Sequence, residues 1–144
     1  MNSSDSTLIR AALGTLKTAS EFKDSRVAEI CAAFGAQLNS LLSQGRVYRG
    51  ADGIPDNVEN ADASHDAQAW LTPDGTWVIH IDGDELDKAA TAGTDSGWEK
   101  VIADWLLREV AHTLGYRHPG ETVAPYATEP FNHASGGPAE QCVR

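Results

Sequence analysis

The chain has 144 residues, of which 41% are hydrophobic and 22% charged, enough for one domain with a buried core and the balance of an ordinary globular protein. Its formal net charge of -10 argues against a nucleic-acid backbone or an anionic membrane surface as partner, because both would be repelled. No stretch approaches an apolar membrane span, and Met1-Asn2-Ser3-Ser4-Asp5 lacks the basic and apolar regions of a signal peptide; the sequence as it stands reads as cytoplasmic, or as secreted if an export signal has been removed ahead of it.

Residues 6–20 carry Leu8, Ile9, Ala12, Leu13 and Leu16 on one side of a predicted short helix. A longer helix begins near Asp24, with Val27, Ile30, Cys31, Phe34, Leu38, Leu41 and Leu42 at helical spacing and Gly45 to stop it. Val47-Tyr48 begins a sheet. Residues 50–66 hold Asp52, Gly53, Pro55, Asp56, Asn57, Glu59, Asn60 and Asp62 and read as a long acidic loop whose spacing fits no EF-hand. Ser64-His65-Asp66 is no triad, since a triad is a spatial arrangement rather than a tripeptide. Residues 67–72 and 76–82 read as a hairpin turned by Pro73-Asp74-Gly75, with Trp70, Leu71, Trp77, Val78, Ile79 and Ile81 suited to a pleated surface. His80 lies within the second strand, where a hydrogen-bonded structural role competes with a place at a site. A short helix from Gly83 or Asp84 runs through Ala90, and the Ala-Thr-Ala-Gly stretch that follows is a connection.

Ser96-Gly97-Trp98-Glu99 is a capping-box pattern that starts a helix reaching about Leu114. At about 100° per residue, Trp98, Val101, Ile102, Trp105, Leu106 and Val110 form one apolar stripe, with Glu109 near its centre and His112 inside its edge. Polar side chains on an apolar face need partners, and their placement points to a site. Arg108 lies just beyond the stripe with Asp104 one turn before it, in the orientation of a surface ion pair. The two cysteines, Cys31 and Cys142, are either separate thiols or one disulfide tying the C-terminal tail to an early helix.

Positions 108–118 read R-E-V-A-H-T-L-G-Y-R-H, followed by Pro119. This stretch resembles the site of metzincin-type zinc metallopeptidases, H-E-x-x-H-x-x-G-x-x-H, at every fixed position but the first, where Arg108 stands. The resemblance implies an α+β fold: one small zincin-like domain over residues 1–144, with packing helices, a short twisted sheet, a central motif helix and an irregular C-terminal part from about 119. It further implies Glu109 as general base on a zinc-bound water, with His112 and His118 as zinc ligands. Arginine has no lone pair to give a metal, so Arg108 cannot be the missing ligand and adds positive charge beside the cation. The methionine-containing turn of metzincins is absent, Met1 being the only methionine. His80, His133 and Cys142 are the weaker candidates for a replacement ligand.

Three readings follow. One is a metallopeptidase-like hydrolase whose cofactor is zinc in the parent family and none in this sequence if Arg108 disables the site. Another is a pseudoenzyme, a module binding a peptide or small-molecule ligand in a cleft, with Arg108 gripping an acidic group or blocking the site. The third is a metal-independent enzyme reusing Glu109 and Arg108. Nothing in the sequence sets the oligomeric state or the substrate.

Overall fold

A computed structural model describes residues 2–50, 54–55, 64–93, 96–116 and 141–144, with backbone alone for 54–55 and 64–65. The fold is α+β. Helices α1 (Ser3–Leu13) and α2 (Ser25–Ser43), with a 3-10 turn at Ala19–Glu21 between them, precede β1 (Val47–Gly50), β2 (Ile54–Pro55), β3 (Ser64–His65), β4 (Ala67–Leu71) and β5 (Trp77–Asp82); α3 (Gly83–Ala92) and α4 (Trp98–Thr113) follow. The main sheet has the order β1-β5-β4, and β2 pairs with β3 separately. β1 runs parallel to β5 with Val47 opposite Ile79, while β4 is antiparallel to β5 with Ala69 opposite Ile79.

The first helix is shorter than the apolar pattern predicts, because Gly14 closes it and Leu16 is used differently. Leu16 forms an isolated antiparallel bridge with Val143. At its other end, Asn2 caps α1 by accepting from the Asp5 N–H, and Asp5 is itself buried at 2% exposure. A buried carboxylate needs a partner, and Arg49 on β1 supplies it at 2.9 Å while also reaching Asp87 on α3 at 2.6 Å. One guanidinium thus joins α1, the sheet and α3. Gly83 permits this junction, since a Cβ there would lie 2.8 Å from the Gly50 carbonyl oxygen.

The second helix starts where Asp24 accepts from the N–H groups of Arg26 and Val27, and it buries Cys31, Phe34, Leu38 and Leu41 as its spacing predicts. The Pro73-Asp74-Gly75 turn joins β4 to β5, with Gly75 at φ +85. α4 does not open with the predicted capping box: Gly97 is its N-cap, in the left-handed region, without a side-chain bond from Ser96 to the third residue of the helix.

α4 buries part of the predicted stripe: Ile102, Leu106 and Val110 are wholly buried, Trp98 and Trp105 pack half-buried against the core, and Val101 is exposed. Ala103, Leu107 and Ala111 are buried as well, which turns the buried face away from the side of Trp98 and Glu109. The helix has apolar residues on two sides. The side carrying Ala103 and Ala111 wins because small residues let α1 and α2 approach closely, and the Trp98–Trp105 side is left half-buried.

The C-terminal residues are tied firmly to the N-terminal half. Cys31 and Cys142 form a disulfide 111 residues apart, Lys17 N–H donates to the Cys142 carbonyl, and Arg144 N–H donates to that of Thr15. The Arg144 guanidinium grips both carboxylate oxygens of Glu21 at 2.7 to 3.0 Å and pulls the Glu21 carboxyl down to about 2. Replacing both cysteines with serine removes the constraint on a long loop of the unfolded chain and is expected to lower the unfolding free energy by about 3–5 kcal/mol, read from urea denaturation midpoints at an unchanged slope.

Candidate functional site

Gly115 sets the geometry at the end of α4. At φ +97 it adopts the left-handed conformation that ends a helix, with its N–H donating to the His112 carbonyl and the following Tyr116 N–H donating to that of Ala111. This is the Schellman arrangement, and it folds the chain back over the last turn. The Tyr116 carbonyl oxygen consequently lies 2.8 Å from His112 Nδ1. A carbonyl can only accept, so this bond places a proton on Nδ1 and leaves Nε2 as the nitrogen with the lone pair in the neutral ring. A backbone oxygen orienting the far nitrogen is the support that metal-ligating histidines use.

The Tyr116 ring packs edge-on against Phe34 of α2, centroids 5.5 Å apart, which holds the returning chain in place. Beyond Tyr116, on the α2 side, is an open cavity of about 300 Å³ walled by Ile30, Ala33, Phe34 and Leu114 with Glu29 at its rim.

Glu109 sits one turn before its helix partner of the motif and reaches the sheet. The Ala69 N–H of β4 donates to Glu109 Oε2 at 2.7 Å. β4 is paired on one side only among the described residues, and the ladder bonds fall on alternate residues, such as Thr72 N–H to Thr76 and Asp82 N–H to Asp66. Ala69 therefore directs its N–H outward, along the edge of the sheet. Glu109 and His112 are both half-buried, with part of each surface facing solvent.

Arg108 donates through Nε to Asp104 Oδ1 at 2.7 Å, the ion pair expected from the sequence. The two side chains keep 32% and 28% of their surface exposed, so the pair is a screened one. Its consequence is positional: the guanidinium is drawn towards the preceding turn, on the ridge that Asp104, Arg108 and His112 share.

The remaining candidates separate cleanly. His80 is not brought to this face. By strand alternation it lies on the side of the sheet opposite the buried Ile79 and Ile81, between the rings of Tyr48 at 5.5 Å and Trp70 at 6.0 Å. Cys142 spends its sulfur on the disulfide and has no thiolate to give a metal, which removes it as a ligand. His118 and His133 lie outside the described residues. Among the described residues no three His, Cys, Asp or Glu side chains converge as a metal site. His112 through Nε2 fits a ligand's role, but with Arg108 as neighbour the described donors do not make a set for catalytic zinc.

Two groups at the site left no side-chain signal in the sequence, because both are backbone atoms: the Ala69 N–H and the Tyr116 carbonyl. The first follows from the hairpin register that the turn imposes, and the second from Gly115 once its left-handed conformation is assumed. Comparison with models of known protein families, with curated proteins and with solved structures gave no match.

Gly115→Ala is expected to cost about 1–2 kcal/mol, as an L side chain resists the left-handed region. The same variant should disturb the Nδ1-protonated tautomer of His112, read from its imidazole nitrogen shifts. Burial lowers His80 below its ordinary value of 6.5. The unfolded chain then binds the proton first as pH falls, so stability should decline as pH drops through about 6.5, until the folded group takes up its proton as well. His80→Gln should flatten that segment of a Tm-versus-pH curve.

Proposed function

We propose that this chain is a metallopeptidase-like protein with a cleft for extended peptides, built on a zincin-type scaffold in which Glu109 stands as general base and His112 with His118 as zinc ligands. The observation that carries the reading is the meeting of α4 and β4. A carboxylate of the motif helix is held by an outward-facing N–H of an edge strand, and on the same helix an imidazole has its Nδ1 fixed by a backbone carbonyl. An edge strand offers main-chain donors and acceptors to a peptide lying alongside it, and a carboxylate at that edge is within reach of the peptide it would act on. Zinc, when bound in such a scaffold, polarises water and the scissile carbonyl. The protein's own groups do the rest: Ala69 orients the Glu109 carboxylate, Glu109 is placed to take a proton from water, and Tyr116 keeps the lone pair of His112 on Nε2.

With Arg108 in place of the first ligand, the donors fit zinc poorly, and peptide binding is the activity best supported for the chain as it stands. A second reading rests on one observation. The Arg108 guanidinium is paired with Asp104, and both keep part of their surface exposed. A ligand carboxylate offering two oxygens in one plane would compete well for it, which favours peptides carrying an acidic group. The disulfide between Cys31 and Cys142 supports an oxidising compartment, where such bonds persist, over the cytoplasm.

Elemental analysis after dialysis against trace zinc tests the scaffold directly. Arg108→His is expected to retain about one zinc per chain and to gain peptide hydrolysis, with the unmodified protein retaining far less. Adding Glu109→Gln to that variant should abolish turnover while zinc stays bound. If Arg108→His takes up no metal, the zincin reading is wrong.

A further inference from the structure

Residues 142–144 are held by two attachments of different kinds. One is the covalent bond from Cys142 to Cys31 on α2. The other is non-covalent and falls on the link between α1 and α2. There Val143 bridges to Leu16, the Lys17 N–H donates to the Cys142 carbonyl, and the Arg144 N–H donates to that of Thr15. The Arg144 guanidinium adds its grip on Glu21 and a bond to the Gly14 carbonyl at 2.7 Å. The covalent attachment is shielded, Cys31 being 8% exposed and Cys142 2%. Arg144 and Glu21 keep 44% and 32% of their side-chain surfaces exposed, so water and salt weaken their pair.

We propose that the two attachments form a redox latch: the closed disulfide forbids residues 142–144 to leave the α1–α2 link, and a dithiol reductant that opens it lets them leave and redock while the rest of the fold is kept. Access to the bond needs only a local opening. Two backbone hydrogen bonds and one exposed clamp give way at the edge of the molecule, which costs far less than unfolding the core. The reduced chain keeps its core as well, because the wholly buried Phe34, Leu38, Ile79, Leu106 and Val110 lie on α2, β5 and α4, away from this stretch. Redocking through Arg144 and Val143 returns Cys142 to Cys31, so the bond re-forms within the chain.

The exchange balances with the dithiol as co-reactant. One of its thiolates attacks the Cys31 sulfur, the more exposed of the two, and Cys142 leaves as a thiolate and takes a proton. The second thiolate of the reductant then displaces Cys31, which is protonated in turn. Two electrons and two protons pass to the protein, and the reductant is left as a disulfide.

Opening the latch uncovers Leu16 and Val143, both packed against the core when it is closed. It also releases one of two anchors on α2. Tyr116 packs on Phe34 and Cys142 is bonded to Cys31, so the chain that leaves the His112 turn at Tyr116 is tied again to the same helix one turn away. The latch is independent of the metallopeptidase reading, since it uses none of the motif residues.

The test starts from the oxidised, unmodified protein with dithiothreitol as the reductant at about pH 8, where its thiolate is populated. Free thiols should appear in native buffer much faster than the chain unfolds globally, at a rate that low urea hardly changes, and the reduced protein should keep its far-ultraviolet circular dichroism and tryptophan emission. Reduction no faster than global unfolding, with the same steep urea dependence, overturns the latch and leaves a permanent staple. A reduced protein that is unfolded overturns it too. Iodoacetamide labelling of the folded, reduced protein then reads release of Cys142 directly. Glu21→Gln and Arg144→Ala, both at exposed positions, should each speed that labelling about five- to tenfold. Labelling unchanged in both variants overturns the role of the clamp and with it the latch.

Discussion

The turn at Gly115 and Tyr116 is the constraint on which the candidate site depends. Three groups of Tyr116 act at once: its N–H ends α4 by donating to Ala111, its carbonyl takes the Nδ1 proton of His112, and its ring packs on Phe34. Because the imidazole is oriented by a backbone oxygen, changing the Tyr116 side chain keeps the bond, whereas changing Gly115 moves the oxygen itself. Phe34 is wholly buried and lies one turn after Cys31, which carries the disulfide to Cys142. The C-terminal anchor, the second helix, the turn and the imidazole are thus in contiguous contact, and the precision of the site is inherited from packing some distance from it.

Where the sequence was legible, local chemistry and tertiary packing agreed. Asp24 and Gly45 bracket α2 because a capping carboxylate and a left-handed glycine act within a few residues of themselves, and Pro73-Asp74-Gly75 sets its hairpin for the same reason. The Asp104–Arg108 pair was readable from i,i+4 spacing. The failures occur where two local answers compete. α4 is apolar on two sides, and only the arrival of α1 and α2 decides which is buried; Ala103 and Ala111 carry little hydrophobic signal, yet they are what close packing requires. Leu16 fits the periodicity of a longer first helix but pairs with Val143, a residue 127 positions later that no local pattern can foresee.

That misassignment had a functional content. Polar Glu109 and His112 on a buried stripe would have needed partners at high cost, whereas on a half-buried face each needs only one well-placed backbone group, and each has it. The reasoning from cost pointed to Glu109 and His112, and both are held by backbone groups on the half-buried side of the helix. Trp98 and Trp105 pack half-buried against the core, Arg108 is held by Asp104, and Glu109 and His112 each meet a backbone group.

Electrostatics then determines what such a surface can hold. Neighbours one turn apart on a helix are about 6 Å from each other, and a guanidinium at that distance from a divalent cation repels it by about 5 kcal/mol at an effective dielectric constant of 20. That is nearly four decades of affinity, in addition to the ligand that arginine fails to supply. Asp104 offsets part of the charge, but an exposed pair of this kind is worth only a few tenths of a kcal/mol and is screened by salt. For a singly charged anion at the same distance the sign inverts and the size halves, to an attraction of about 3 kcal/mol. Arg108 beside His112 thus weighs against a cation and for an anion at this end of the helix.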